Sequence, residues 1–144
     1  MKKRTLYCFI LFSLLLLILT GCPGISDYSV DLTDEFSVVR TSADQVFIAP
    51  KENEDMWGSY VIPPKVTEVA WDDHYILAKQ FQLKNDPEDE NDIQIVNKSE
   101  SYYWILKCDT REVYGPYNKA MFIEKKQELG ISEELVLRKI EEIR

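Results

Sequence analysis

His74, the one histidine in this chain of 144 residues, follows directly on Asp72 and Asp73, and these three types could serve acid–base or metal chemistry. Their spacing works against it. Successive residues on a strand point to opposite faces, so three in a row at a hairpin tip do not converge on one substrate. Turn chemistry with an exposed histidine is the reading they support. A nucleophile triad would have to use the same histidine. Cys108 lies in Trp104-Ile105-Leu106-Lys107-Cys108, a strand-like run in which a buried, inert thiol is expected. The acidic run Asp86-Pro87-Glu88-Asp89-Glu90-Asn91-Asp92 offers the oxygens a hard cation wants. It lacks the Asp-x-Asp-x-Asp-Gly spacing and late bidentate glutamate of a calcium loop, so a solvated charge run is the expectation. The sequence holds no phosphate-cradling glycine loop and no CxxC pair. We expect no catalytic residue, no metal and no cofactor, and therefore not an enzyme.

The N-terminus carries a different chemistry. Lys2, Lys3 and Arg4 precede a largely apolar run from Leu6 to Leu19, which ends in Leu19-Thr20-Gly21-Cys22. This layout resembles a bacterial lipoprotein signal peptide with its lipobox. The basic end stays cytoplasmic while the apolar run enters the bilayer as a helix. Gly21 lets a peptidase reach the bond, and the Cys22 thiol takes a diacylglycerol and becomes the new N-terminus. The competing reading is an uncleaved anchor, because the uncharged stretch from Thr5 to Gly21 is at the short limit for a span. Either way the remainder lies on the extracytoplasmic face of the cell membrane. Cys8 leaves with the signal and lipid consumes Cys22, so of the three cysteines only Cys108 remains and no internal disulfide is possible.

With 45% hydrophobic and 29% charged residues the chain has the balance of a folded domain, which excludes disordered, collagenous and disulfide-scaffold classes. Losing Lys2, Lys3 and Arg4 from the 17 basic residues leaves 14 against 25 acidic ones. Such an acidic chain is a poor ligand for nucleic acid. The expected division is a signal peptide over 1–21, a tether over 22–34 that starts at Pro23-Gly24, and a single globular domain over 35–144.

Inside that domain, short β-rich runs alternate with turn signals. Phe36–Arg40 and Val46–Ala49 flank the hairpin loop Thr41–Gln45, and Pro50 is expected to close the second strand. Lys51–Ser59 reads as irregular. Val66–Trp71 and His74–Phe81 meet at Asp72-Asp73, and a two-residue turn there places Val69 opposite Ile76. Ile93–Val96 is a short strand, and Tyr102–Leu106, apolar on both faces, is a central one. Gly115-Pro116 is expected to end the strand that begins at Val113. Asn118 caps a helix that Gly130 stops, and Ser132 caps a second helix with Val136, Ile140 and Ile143 on one stripe. The fold class expected is α+β: an antiparallel sheet built from hairpins, with two C-terminal helices on one face. The alternative is a β-sandwich, which follows if Tyr60–Ile62 and Ile93–Val96 join a second sheet.

Cys22-Pro23-Gly24, Ser26-Asp27-Tyr28, Arg40-Thr41-Ser42-Ala43, Val66–Asp73 and Val113-Tyr114-Gly115-Pro116 occur in this order ahead of an amphipathic helix. With these segments the chain resembles a family of small lipoproteins from Gram-positive spore-forming bacteria that is catalogued as a domain of unknown function. The resemblance implies a secreted, membrane-tethered location and no activity. The aromatic load is explained mostly by strand packing. Trp57, on a polar stretch, and Tyr117, just before the helix cap, are the candidates for a binding surface. The expected role is a non-enzymatic binding module tethered to the membrane through lipid on Cys22, with a protein or envelope partner. The alternatives are an inhibitor or immunity-type lipoprotein that blocks an extracellular enzyme, or a metal-dependent envelope factor using the acidic residues.

Overall fold

Apolar runs separated by short polar turns pair with their neighbours in sequence, and here they do so entirely antiparallel. The computed structural model describes residues 27–54, 56–85 and 94–144. One sheet holds β1 (Tyr28–Asp31), β2 (Phe36–Arg40), β3 (Val46–Asn53) and β4 (Met56–Trp57) in that spatial order. The other is built from β5 (Val66–Trp71), β6 (Tyr75–Asn85), β7 (Gln94–Lys107), β8 (Glu112–Tyr117) and β9 (Arg138–Lys139), arranged β8-β7-β6-β5-β9. Helix α1 (Lys119–Glu128) lies between β8 and β9, and a 3-10 turn, Ile140–Glu142, follows β9.

The inner faces meet in a core to which Phe36, Val38 and Ile48 contribute from the first sheet and Val69, Ile76 and Leu106 from the second, all fully buried. The second sheet is also covered on its other face. There Leu77 and Ile105 are buried under Phe122 of α1 and Ile131 of the segment after it. Coverage on both sides explains why consecutive residues, Ile76-Leu77 and Ile105-Leu106, are all apolar in β6 and β7. Each such side chain stabilises the fold by about 1.5–3 kcal/mol relative to exposure.

This architecture overturns the α+β expectation. Among the described residues the chain is mostly antiparallel strand in two facing sheets with one short helix, closer to a β-sandwich. The first expected helix forms. The Asn118 side chain accepts the amide of Met121, and Gly130 adopts φ +67° just past the end. The second does not. Ser132 closes a turn on Leu135, after which Leu135 and Leu137 turn inward while Val136 points out at 65% exposure. That period of two suits a strand, and Arg138 and Lys139 pair with Val69 and Glu68 on the open edge of β5. Pairing with a waiting edge outweighs the local helix propensity of a short acidic segment.

Six local expectations are also corrected. Residues 28–31, placed in the tether, form β1 and pair with β2, and Leu32 after them is buried. Pro50 does not end β3; it sits opposite Phe36 while its carbonyl accepts the amide of Gly58, and Met56–Trp57 of the supposedly irregular stretch forms β4. Three residues, Asp72-Asp73-His74, connect β5 to β6, with Trp71 opposite Ile76 and Val69 opposite Ala78. The register moves by two, so every side chain keeps its expected face. Likewise β8 continues through Gly115-Pro116 to Tyr117, and residues 94–107 make one long strand. Gly115, at φ +132°, is required where it stands, because a Cβ there would lie 2.8 Å from the Tyr103 carbonyl oxygen.

Candidate functional site

The two ends of the sandwich differ in chemistry. At the end where β1 begins, Arg40 closes β2 between Tyr28 and Val46. It shares the inward face of Phe36 and Val38, but it stands where the sheets part. Its guanidinium lies 5.6 Å from the centre of the Tyr28 ring, and the Arg144 guanidinium stands 4.7 Å from the same ring. Arg40 Nε is buried and has no hydrogen-bond partner among the described residues. An orphan donor of this kind costs about 1–3 kcal/mol until an acceptor arrives.

Around Arg40 opens a cleft of about 740 Å³ with Val46, Val66, Phe81, Val96 and Ile140 among its apolar walls. Its cations come from separate elements. Lys65, at φ 77° after Pro63-Pro64, makes an ion pair with Asp44 in the β2–β3 loop, and Lys79 is paired with Glu68 at 2.6 Å. The hydrogen bond and charge of Lys65, with a smaller contribution from Lys98, hold the Asp44 carboxyl below the usual range. Lys98 and Lys139 are exposed at the rim and make no ion pair among the described residues. Glu141 and Glu142 line the cleft as well, so its five basic residues stand among four acidic ones.

The opposite end is acidic. A cleft of about 920 Å³ runs between the β1–β2, β5–β6 and β7–β8 turns and gathers Asp31, Asp34, Glu35, Asp72, Asp73 and Asp109 around Lys51. Much of this carboxylate serves structure. Asp31 accepts from Lys51 Nζ at 2.8 Å and Ser37 Oγ at 2.7 Å, which lower its pKa. Asp72 Oδ1 accepts the amides of His74 and Tyr75, both at 2.8 Å, and so shapes the turn. Glu35 meets Arg111 of the facing sheet at 3.1 Å. Among the described residues no three His, Cys, Asp or Glu side chains are gathered closely enough to hold a metal ion.

The nucleophile and base considered from the sequence both fall at this acidic end and do not form a pair there. Cys108 lines the cleft, but burial first, then the charges of Asp72, Asp109 and Glu35, push its thiol up to about 11. Such a thiol stays protonated and unreactive at neutral pH. The His74 side chain is 70% exposed with Nδ1 3.8 Å from Asp109.

Trp57 and Tyr117 are not brought together. Trp57 lies on β4, an outer strand of the first sheet, half-buried with its Nε1 shielded from solvent and without a hydrogen-bond partner among the described residues. Tyr117 ends β8, the outer strand of the second sheet, where it sits opposite Tyr103 and packs on the helix side. Neither is among the side chains that line the two clefts. Cys22 and the acidic run 86–92 lie outside the described residues, and no described helix is long and apolar enough to cross a membrane. The basic cleft escaped sequence reading because Arg40, Lys65, Lys98 and Lys139 are far apart in the chain; the one local signal is a cation closing an otherwise apolar strand.

A two-sheet sandwich with a mixed apolar and basic cleft at one end defines a small β-domain with a concave surface. Residues 33–141 match the family described as protein of unknown function (DUF3997), and the chain belongs to that family. No curated protein and no solved structure matches it.

Proposed function

We propose that the protein is a non-enzymatic binding module, held on the extracytoplasmic face of the membrane by lipid on Cys22, and that it takes its ligand in the basic cleft. The observation that carries this reading is the cleft itself. Binding sites are concave and largely apolar, with a few placed polar groups and a volume of roughly 300–1,000 Å³. At about 740 Å³, with apolar walls and Arg40, Lys98 and Lys139 among its polar groups, the cleft meets that description. The excess of acidic residues, 25 against 17, argues against nucleic acid as the partner.

Two measurements test the reading. Cells expressing the wild-type chain and a Cys22→Ala variant are fed an alkynyl fatty acid. Label on the wild type alone, with release of the variant from the membrane fraction, supports the anchor, and equal labelling sinks it. Native mass spectrometry of the purified protein then looks for a co-purifying ligand. A bound anionic species lost in Arg40→Gln supports the binding role, and identical spectra for the two chains oppose it.

A further inference from the structure

We propose that residues 96–102 of β7 pair edge to edge with the same residues of a second copy of this chain, antiparallel about Ser99, so that the larger sheets of two molecules join across a twofold axis. This goes beyond the binding cleft and does not rest on the lipid anchor. The first argument is an open edge. β7 runs over residues 94–107, but β8 pairs with it only from Tyr103 to Lys107. Among the described residues, the side of β7 away from β6 therefore has no partner over 94–102. The other edges of this sheet are guarded: β9 covers part of β5, and Pro116 interrupts the ladder of β8. The overhang of β7 carries no proline, and Tyr117, opposite Tyr103, closes the edge just beyond it.

Self-complementarity is the second argument. In a twofold antiparallel pair about Ser99, Lys98 faces Glu100 of the second copy, and symmetry makes the same contact again. Both side chains are exposed, and neither makes an ion pair among the described residues. Centring the pair on Lys98 or on Glu100 would set a charge against its own copy, so the charges select Ser99. At the ends of the same register, Val96 meets Tyr102, a β-branched residue against an aromatic one, and both are half-buried. The third argument is the local backbone. Phe81 pairs with Ser101 and Gln82 with Asn97, so residues 98–100 have no mate on β6. The Ser99 amide is satisfied within its own strand, donating to Asn97 Oδ1 at 3.2 Å. Ser99 thus suits the place that exchanges no main-chain bonds, and Lys98 and Glu100 exchange theirs with the second copy.

The test places a cysteine on the axis. A non-hydrogen-bonded antiparallel pair holds its Cα atoms about 4.5 Å apart, inside the range of about 4.4–6.8 Å that a disulfide spans, so Ser99→Cys should crosslink to itself. Full-length chains in intact cells are oxidised with copper phenanthroline and read as monomer and dimer bands on non-reducing gels. The wild-type chain, with Cys22 and Cys108 in place, and Ser29→Cys, exposed on β1, set the background. We expect Ser99→Cys to crosslink about tenfold above both. Adding Lys98→Glu or Glu100→Lys sets like charges opposite each other at two places and should cut the dimer band about tenfold. Co-expressing those two reversed chains should restore the band, because each then meets its complement, and so should both reversals in one chain. A Ser99→Cys band at background overturns the proposal. So does a band that the single reversals leave unchanged, or one that the paired reversals fail to restore.

Discussion

The indole N–H of Trp104 donates to Gln80 Oε1 at 2.7 Å across β6 and β7, in a domain where, among the described residues, Gln80 and Ser37 are the buried polar side chains. Gln80 is 4% exposed, and its amide nitrogen donates in turn to the Pro64 carbonyl at 2.6 Å and the Pro63 carbonyl at 3.3 Å. One buried amide thus joins the central strands to the Pro63-Pro64 segment that leads into β5. Gln80→Leu keeps the volume and leaves an indole donor and a carbonyl acceptor unsatisfied. It should destabilise the fold by about 2–3 kcal/mol, read as a lower urea midpoint at unchanged slope.

The C-terminal segment separates strand from helix by a pair of substitutions. Ile140 is 3% exposed in the inter-sheet core, whereas Val136 is 65% exposed. Ile140→Ala should cost about 2–4 kcal/mol, and Val136→Ala should stay within about 0.5 kcal/mol. A helix with both residues on its buried stripe would make the two losses comparable, so thermal melts of the pair decide between the two arrangements.

Acid stability should depend on Asp31. Its carboxyl is held below the ordinary 3.8 by hydrogen bonds from Lys51 and Ser37, so the stabilisation is full above the unfolded value and is lost as pH falls through the folded one. Asp31→Asn should therefore be less stable than wild type at pH 6, by a margin that shrinks as pH falls below 3.8. Chemical denaturation of both chains over a series of falling pH values reads the shrinking margin.

Cys108 should resist alkylation. A thiol raised from 9.0 to about 11 by burial and neighbouring carboxylates carries about a hundredfold less thiolate at pH 8 than a free one. Iodoacetamide labelling of the Cys108 peptide should accelerate by about that factor on unfolding in urea. The same shift predicts that stability falls as pH rises from 9.0 toward 11, since unfolding then releases the thiol proton.

Local signals were readable wherever a few adjacent residues set the outcome. Short polar residues at Thr41–Gln45 marked the first hairpin, double-sided apolarity marked β7 as central, and Asn118 with Gly130 bracketed α1. What stayed illegible depends on distant partners. Tyr28–Asp31 has little pattern of its own and becomes a strand because β2 presents an edge to it. Arg138 and Lys139 read as helix until β5 is known to lie beside them. The basic cleft is the extreme case, because only the folded topology brings Arg40, Lys65, Lys98 and Lys139 to one opening.

The pairing of β9 with β5 also sets an order of assembly. Val69 and Glu68 are synthesised long before Arg138 and Lys139, so the outer rung of the larger sheet has no mate until the end of translation. A bare strand edge is a template for joining another chain. Two late residues and the buried Ile140 behind them act as its latch, and copies that unfold from this end would offer one another the same sticky rail.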